Sequence, residues 1–212
     1  MTRPRTFRMN DGRDIPVIGI GFVANLCWMG LGFDGGKQAV VEMVLHALKV
    51  GYRHIDTAFN YYNEDAVGEA IRLSGIPRQD IFVTTKLAGE FHGSVEEGLQ
   101  RSLENLGLEY VDLFLMHWPQ ALTPQGTRSS GTIGIWTLIA FGYQGDAIQP
   151  TESPTFCETW KEMEKLVASG KVKTIGVSNF SIKNLDILLR SATIVPAINQ
   201  ARPQELNTIY TP

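Results

Sequence analysis

With 212 residues, 43% of them hydrophobic, and a net charge of −3, the chain can bury about 70% of its unfolded surface, which suits one domain over 1–212 and excludes general disorder. No Lys/Arg run supplies a footprint for nucleic acid, and no apolar stretch reaches the ~18 residues of a membrane span or follows the basic amino terminus as a secretory signal would. Cys27 and Cys157 form neither a zinc-like spacing nor a disulfide framework, so a soluble protein of a reducing, cytoplasmic compartment that acts on a metabolite is expected.

Phe7–Met9 and Asp14–Val17 flank Asn10-Asp11-Gly12, a turn signal that predicts a hairpin ahead of the main fold, at the end opposite the catalytic loops. Ile18–Gly21 reads as a first buried strand. Gly19, Gly21 and Ala24 match a loose dinucleotide fingerprint, but Asn25–Gly36 opens no convincing helix. Lys37–Lys49 has apolar residues at Val40, Val41, Val44, Leu45 and Leu48, a helical spacing that ends before Gly51. A strand at Tyr52–Asp56 and a helix at Glu64–Leu73 follow. The unit repeats with a strand at Ile81–Thr85 and a helix at Ser94–Leu106, where Ser94 and Glu97 have capping-box spacing. Val111–Met116 is a near-continuous apolar strand of the buried parallel type. A long inserted loop over 119–159 contains apolar Ile133, Ile135, Trp136, Leu138 and Ile139, and folds either as a lid over the site or as a poorly packed insertion. Trp160–Ala168 (helix), Val172–Val177 (strand), Ile182–Leu189 (helix) and Val195–Ile198 (strand) complete the series. The alternation predicts an α/β protein with a parallel, (βα)₈ TIM-barrel type sheet, truncated to about six strand–helix units. A closed barrel takes about 250 residues, so closure is expected to be incomplete and the free strand edges to favour self-association.

Asp56, Tyr61, Lys86 and His117 each fall at the end of a predicted strand or in the turn leaving it, where barrels place their chemistry. An acid, a phenol, an ammonium and an imidazole would then face one pocket: Tyr61 is the candidate acid, Lys86 the ammonium that favours its phenolate, Asp56 the anchor of Lys86, and His117 the group that directs the oxygen receiving the proton. The plainer readings are a buried Asp56–Lys86 ion pair, a packing tyrosine, a histidine capping a strand, Glu64 as a first-turn acid, and Asn179 as the N-cap of the next helix. His46, His54, His92 and His117 are scattered, without metal-ligand spacing, so no metal is expected.

These segments resemble the aldo-keto reductase family. The resemblance rests on Gly51–Ile71 with Asp56, Tyr61, Asn63, Glu64 and Gly68, on Val83–Leu87 with Lys86, on Leu115–Pro119 with His117, and on Met163–Phe180. It implies an oxidoreductase that reduces an aldehyde or ketone to an alcohol with NADPH as the usual cofactor and NADH as the other candidate. It further implies that Thr57, Ser178, Asn179 and Gln200 meet the cofactor and that Trp118 borders the substrate pocket. Phe22-Val23 stands where many members carry threonine and tryptophan, and Ala201–Glu205 departs from the usual continuation after Gln200. Against the family's pattern the last two strands, an aromatic that stacks on nicotinamide and a basic segment for the adenosine phosphate are lacking. The alternative expectation is therefore a catalytically inactive, truncated barrel with a structural or association role.

Overall fold

The computed structural model describes residues 5–21, 32–123 and 146–201. Strands β1 (Thr6–Arg8) and β2 (Asp14–Pro16) form the expected antiparallel hairpin, with Phe7 opposite Ile15. Six further strands form one parallel sheet in chain order: β3 (Ile20–Gly21), β4 (His54–Asp56), β5 (Phe82–Leu87), β6 (Val111–Met116), β7 (Val172–Ser178) and β8 (Asn199–Gln200). Helices α1 (Gly32–Val50), α2 (Glu64–Leu73), α3 (Val95–Leu106), α4 (Phe156–Ala168) and α5 (Ile182–Leu189) connect them. The result is an open, incomplete barrel of six parallel strands, as the alternation of apolar strands and helices predicts.

Alternation along each strand divides the sheet into two faces. Ile55, Val83, Leu87, Phe114, Met116, Ile175 and Val177 join the main core with Val44, Leu48, Val67, Leu99 and Trp160 from the helices. Phe82, Leu113 and Leu115 point the other way and pack against Met9 and Ile15 of the hairpin. The hairpin is pinned there by Asn10 Nδ2 donating to Pro196 O (3.0 Å) and Thr174 Oγ1 donating to Asp11 Oδ2 (2.6 Å). Hence it plugs the end where the strands begin, and the end where they finish is left for polar groups.

Several local expectations are corrected. Ser94 precedes α3 but makes no side-chain cap: its ψ is 57°, outside the extended range, and Glu97 pairs with Arg101 at 2.7 Å instead. The reciprocal capping box forms at Thr155 and Glu158, so α4 begins at Phe156, ahead of the expected Trp160 and inside the stretch read as loop. Phe156 packs edge-on against Phe180, a contact that helical periodicity counted from Trp160 cannot reveal. Likewise α1 begins at Gly32, ahead of Lys37, because its glycine-containing start carries no apolar signature. The last strand is Asn199–Gln200 rather than Val195–Ile198. Pro196 has no N–H to give a ladder, and its carbonyl is taken by Asn10.

The ends of the insertion after β6 meet each other. Thr123 N donates to Asp146 O (2.8 Å) and Ile148 N to Ala121 O (2.9 Å), around an antiparallel bridge between Leu122 and Ala147. The apolar segment from Thr132 to Phe141, Phe22-Val23 and Cys27 lie outside the described residues. No helix among the described residues is long and apolar enough to cross a membrane.

Gly68 sets the spacing of α2 and α3: a Cβ there would stand 1.9 Å from Leu106 O, a backbone atom with no freedom to yield. Gly68→Ala is therefore expected to destabilise the chain by about 1–3 kcal/mol through overpacking, at about 2–4 °C of Tm per kcal/mol, in a thermal melt. Unchanged melting would mean the two helices are not held at this distance.

The outer edges of β3 and β8 have no strand neighbour among the described residues, and apolar Ile18 and Val195 beside them are more than half exposed. Concentration-dependent self-association is the expected result of sedimentation analysis, and a monomer at high concentration would contradict it.

Candidate active site

Lys86 lies on the inward face of β5, between outward Thr85 and Leu87, and its side chain has no exposed surface. Its ammonium donates to Asp56 Oδ1 (2.6 Å), at the end of β4, and to Thr57 O (2.8 Å). The parallel register that sets Asp56 beside Thr84 brings these groups together. Burial pulls the Lys86 pKa below the ordinary lysine range, while Asp56 and then Glu64 oppose the shift.

Tyr61 ends a single 3₁₀ turn, Phe59–Tyr61, directly after β4. The loop is fixed by Tyr61 N donating to Ala58 O (2.9 Å), by Thr57 Oγ1 donating to Asn63 Oδ1 (2.6 Å), and by Phe59 packing edge-on against Phe91. Lys86 Nζ stands 4.9 Å from the centre of the Tyr61 ring. On another side the His117 ring meets Tyr61 edge to face at 5.5 Å. His117 follows β6 and is 6% exposed. Burial first, and Lys86 second, push its pKa down to about 3, so the imidazole is neutral at pH 7. Trp118 lies nearly parallel to the His117 ring at 6.4 Å and is partly exposed.

Ser178 ends β7 and Gln200 ends β8. Ser178 Oγ donates to Gln200 O (2.8 Å), and Asn179 Nδ2 donates to His117 O (2.9 Å) and to Ser178 Oγ (3.1 Å). Asn179 is not the N-cap of α5. Its φ is +60°, a left-handed conformation supported by those side-chain bonds, and Ser181 caps the helix by accepting from Asn184 N. Thr57, expected at the cofactor, has no exposed surface and gives its hydroxyl to Asn63, so in this structure its side chain supports the Tyr61 loop. Glu64 opens α2 but is 2% exposed. It accepts from Thr85 Oγ1 (2.6 Å) and Asn105 Nδ2 (3.0 Å), which ties α2 to β5 and α3, and burial raises its pKa.

The structure thus gathers Asp56, Tyr61, Lys86 and His117 at the strand ends opposite the hairpin, with Ser178, Asn179 and Gln200 on the adjoining strands. Two features escaped the sequence reading. His54, on the same face of β4 as Asp56, is buried with its Nε2 2.9 Å from Thr84 Oγ1; alternation by two residues from Asp56 was the available signal. Gln200 Nε2 reaches across the barrel mouth to Asp56 Oδ2 (2.8 Å), which no local pattern indicates. A cavity of about 530 Å³ is lined by His54, Asp56, Gln200 and the hairpin residues Phe7 and Ile15. A larger groove of about 930 Å³, bordered by Arg13, Arg53 and Lys173, includes none of the Lys86 group, and its mixed charges point to no particular chemistry. No cluster of three or more His, Cys, Asp or Glu side chains suited to a metal occurs among the described residues.

His92, 2% exposed in the turn after β5, is held down to a pKa of about 4 by burial, against a lesser opposing influence from the Trp118 backbone. Both His92 and His117 bind protons more weakly when folded than when unfolded, where the value is 6.5. Their contribution to stability is complete above pH 6.5 and is lost as pH falls toward 4 and then 3. Glu64 and Glu90, raised by burial, have the opposite slope above 4.5. Because the glutamates are common to both proteins, urea denaturation of wild type minus His92→Gln isolates the histidine. The wild type should lose up to about 1.4 kcal/mol per pH unit more than the variant on acidification through this window. Parallel pH profiles would refute a buried neutral His92.

Comparison with known proteins agrees with the fold. A profile of the Aldo/keto reductase family matches residues 31–208. "Aldehyde reductase YPR1" of Saccharomyces cerevisiae is 43% identical over 197 residues, covering 92% of this chain and 59% of its own length. "Glycerol 2-dehydrogenase (NADP(+))" of the same yeast is 45% identical over 194 residues, or 91% of this chain and 58% of its own. Among solved structures, the aldose reductase of Schistosoma japonicum superposes with a TM-score of 0.73 at 35% identity, covering 93% of this chain and 60% of its own. A Bombyx mori aldo-keto reductase in complex with NADP gives 0.74 at 32% identity, covering 95% and 59%. The chain therefore spans about three fifths of the length of these relatives.

Proposed function

We propose that this chain, which belongs to the aldo/keto reductase family, carries the proton-donating machinery of an oxidoreductase that reduces an aldehyde or ketone with NADPH. The observation that carries the reading is the wholly buried Lys86 ammonium, held by Asp56 and standing against the Tyr61 ring with neutral His117 on its other side. A charge buried at such cost is retained where it changes the chemistry of a neighbour.

Tyr61 is the general acid in this reading. A free phenol, with a pKa of about 10, gives up its proton poorly near neutrality, and an adjacent ammonium stabilises the phenolate that remains after transfer. Asp56 keeps Lys86 charged and oriented. His117, being neutral, donates from one ring nitrogen to the carbonyl oxygen and fixes its approach to Tyr61, while Trp118 borders the substrate. Such acid catalysis contributes roughly 10²- to 10⁴-fold.

The polar set around Asn179 suits a carboxamide: the Ser178 hydroxyl, the Asn179 amide and the Gln200 main-chain carbonyl are joined by hydrogen bonds beside the His117 carbonyl. Ser178, Asn179 and Gln200 would hold the nicotinamide end of NADPH there, and the bound dinucleotide supplies the hydride. The yeast glycerol 2-dehydrogenase (NADP(+)) and the Bombyx mori complex with NADP favour the phosphorylated form.

Tyr61→Phe keeps the ring packing and removes the proton. At saturating NADPH its turnover should fall by about 10²-fold or more while dinucleotide affinity changes little, and near-normal single-turnover rates would reject Tyr61 as the acid. Lys86→Met should also move the pH–rate profile, and an unmoved profile would sever Lys86 from Tyr61. Because Ser178, Asn179 and Gln200 address only one end of an extended dinucleotide, calorimetry on the 212-residue chain should give an affinity weaker than micromolar. A stoichiometric complex at about −8 kcal/mol or better would contradict this.

A further inference from the structure

Gln200 joins two sets of residues that the sheet keeps on separate strands. Its main-chain oxygen accepts from Ser178 Oγ (2.8 Å) and from Asn179 N (3.1 Å), the turn proposed to meet the nicotinamide. Its side-chain Nε2 donates to Asp56 Oδ2 (2.8 Å), while Asp56 Oδ1 accepts from Lys86 Nζ (2.6 Å). The sheet runs β3-β4-β5-β6-β7-β8, so a bond from β8 to β4 is a chord across the barrel mouth rather than a contact between neighbouring strands.

We infer that Gln200 is a positioning residue for the Asp56–Lys86 pair and the mechanical link between that pair and the Ser178–Asn179 turn. With one oxygen held by Lys86 and the other by Gln200, the Asp56 carboxylate cannot rotate about its terminal bond without breaking a charge-assisted hydrogen bond. A carboxylate free to rotate would leave the buried ammonium poorly partnered, the costly state. The relevance of this link to turnover rests on the reading of the chain as an NADPH-dependent reductase, whereas the bond itself belongs to the protein without ligand. The charged and titratable groups around Asp56 are Lys86 of β5, His54 of its own strand, and Tyr61 across the ammonium. Among them only Lys86 carries a charge that offsets a second carboxylate.

Gln200→Glu and Gln200→Met distinguish this link from a space-filling surface amide. In the first variant the introduced carboxyl meets Asp56, and the two share a proton at acid pH but repel once both ionise. Urea denaturation of the ligand-free chain from about pH 4 to about pH 8 should show Gln200→Glu matching wild type at the acid end and losing stability as pH rises. Gln200→Met should show an offset that does not vary with pH. In the same ligand-free chain, the Lys86 ammonium hydrogens followed by ¹⁵N NMR should exchange about five-fold faster in Gln200→Met than in wild type, the equivalent of a hydrogen bond of about 1 kcal/mol. A Gln200→Glu offset independent of pH, or Lys86 exchange unchanged by Gln200→Met, overturns the inference. Both free-chain results together with near-normal single-turnover rates in Tyr61→Phe would support the positioning role and overturn the reductase reading.

Discussion

Burying a lysine ammonium costs several kcal/mol, and the barrel mouth is organised around replacing the water that Lys86 gives up. Asp56 supplies charge, Thr57 a carbonyl and Tyr61 the face of its ring, all from β4 and the turn that follows it. That arrangement depends on the register of β4 against β5. A slip by one residue would send Lys86 to the helix side of the sheet, among Val83, Leu87 and the faces of α2 and α3, and take it away from Asp56 and the Thr57 carbonyl. The ion pair and the register of the sheet therefore enforce one another.

The same two-sidedness explains why the polar cluster can exist in so apolar a chain. Outward residues build the core with the helices, and the hairpin fills the opposite end of the inward face through Met9 and Ile15. What remains at the strand ends is free to be polar, and its groups are satisfied in sequence: Asn179 donates to His117 and Ser178, Ser178 to Gln200, and both Gln200 and Lys86 to Asp56. Behind it Glu64 is neither solvent-facing nor in the pocket. Its bonds to Thr85 and Asn105 place α2, and hence the end of the Tyr61 loop, against β5.

The family relationship gives these contacts a common setting, since the relatives align over more than nine tenths of this chain while carrying considerably more length of their own. The six strands here include those that bear Asp56, Lys86, His117, Ser178 and Gln200. The cluster of Asp56, Tyr61, Lys86 and His117 is thus assembled by consecutive strands of an open sheet and the turns that follow them.

Much of this was legible in the chain itself. Buried parallel strands write themselves as short apolar runs, so Val111–Met116 stands out to the residue and Val172–Val177 lies one residue short of the observed Val172–Ser178, and amphipathic spacing marks Glu64–Leu73 and Ile182–Leu189 to the residue. Placing Asp56, Lys86 and His117 at strand ends followed from the same runs. Caps were less legible, because Ser94 and Thr155 have the same spacing to a glutamate and only the backbone angle separates the one that caps from the one that does not. The left-handed Asn179 and the late start of β8 were likewise hidden, one decided by a conformation that residue type does not dictate and the other by a partner distant in sequence. The bond from Gln200 to Asp56 is the clearest case: it spans 144 positions and exists only because the curvature of the sheet brings its last strand over the mouth toward β4. Sequence alone determined which residues are apolar, in what order strands and helices alternate and which polar groups follow the apolar runs; the tertiary structure decided where the last strand lies and which of those groups touch, because contact across a barrel depends on register and curvature, which no local pattern records.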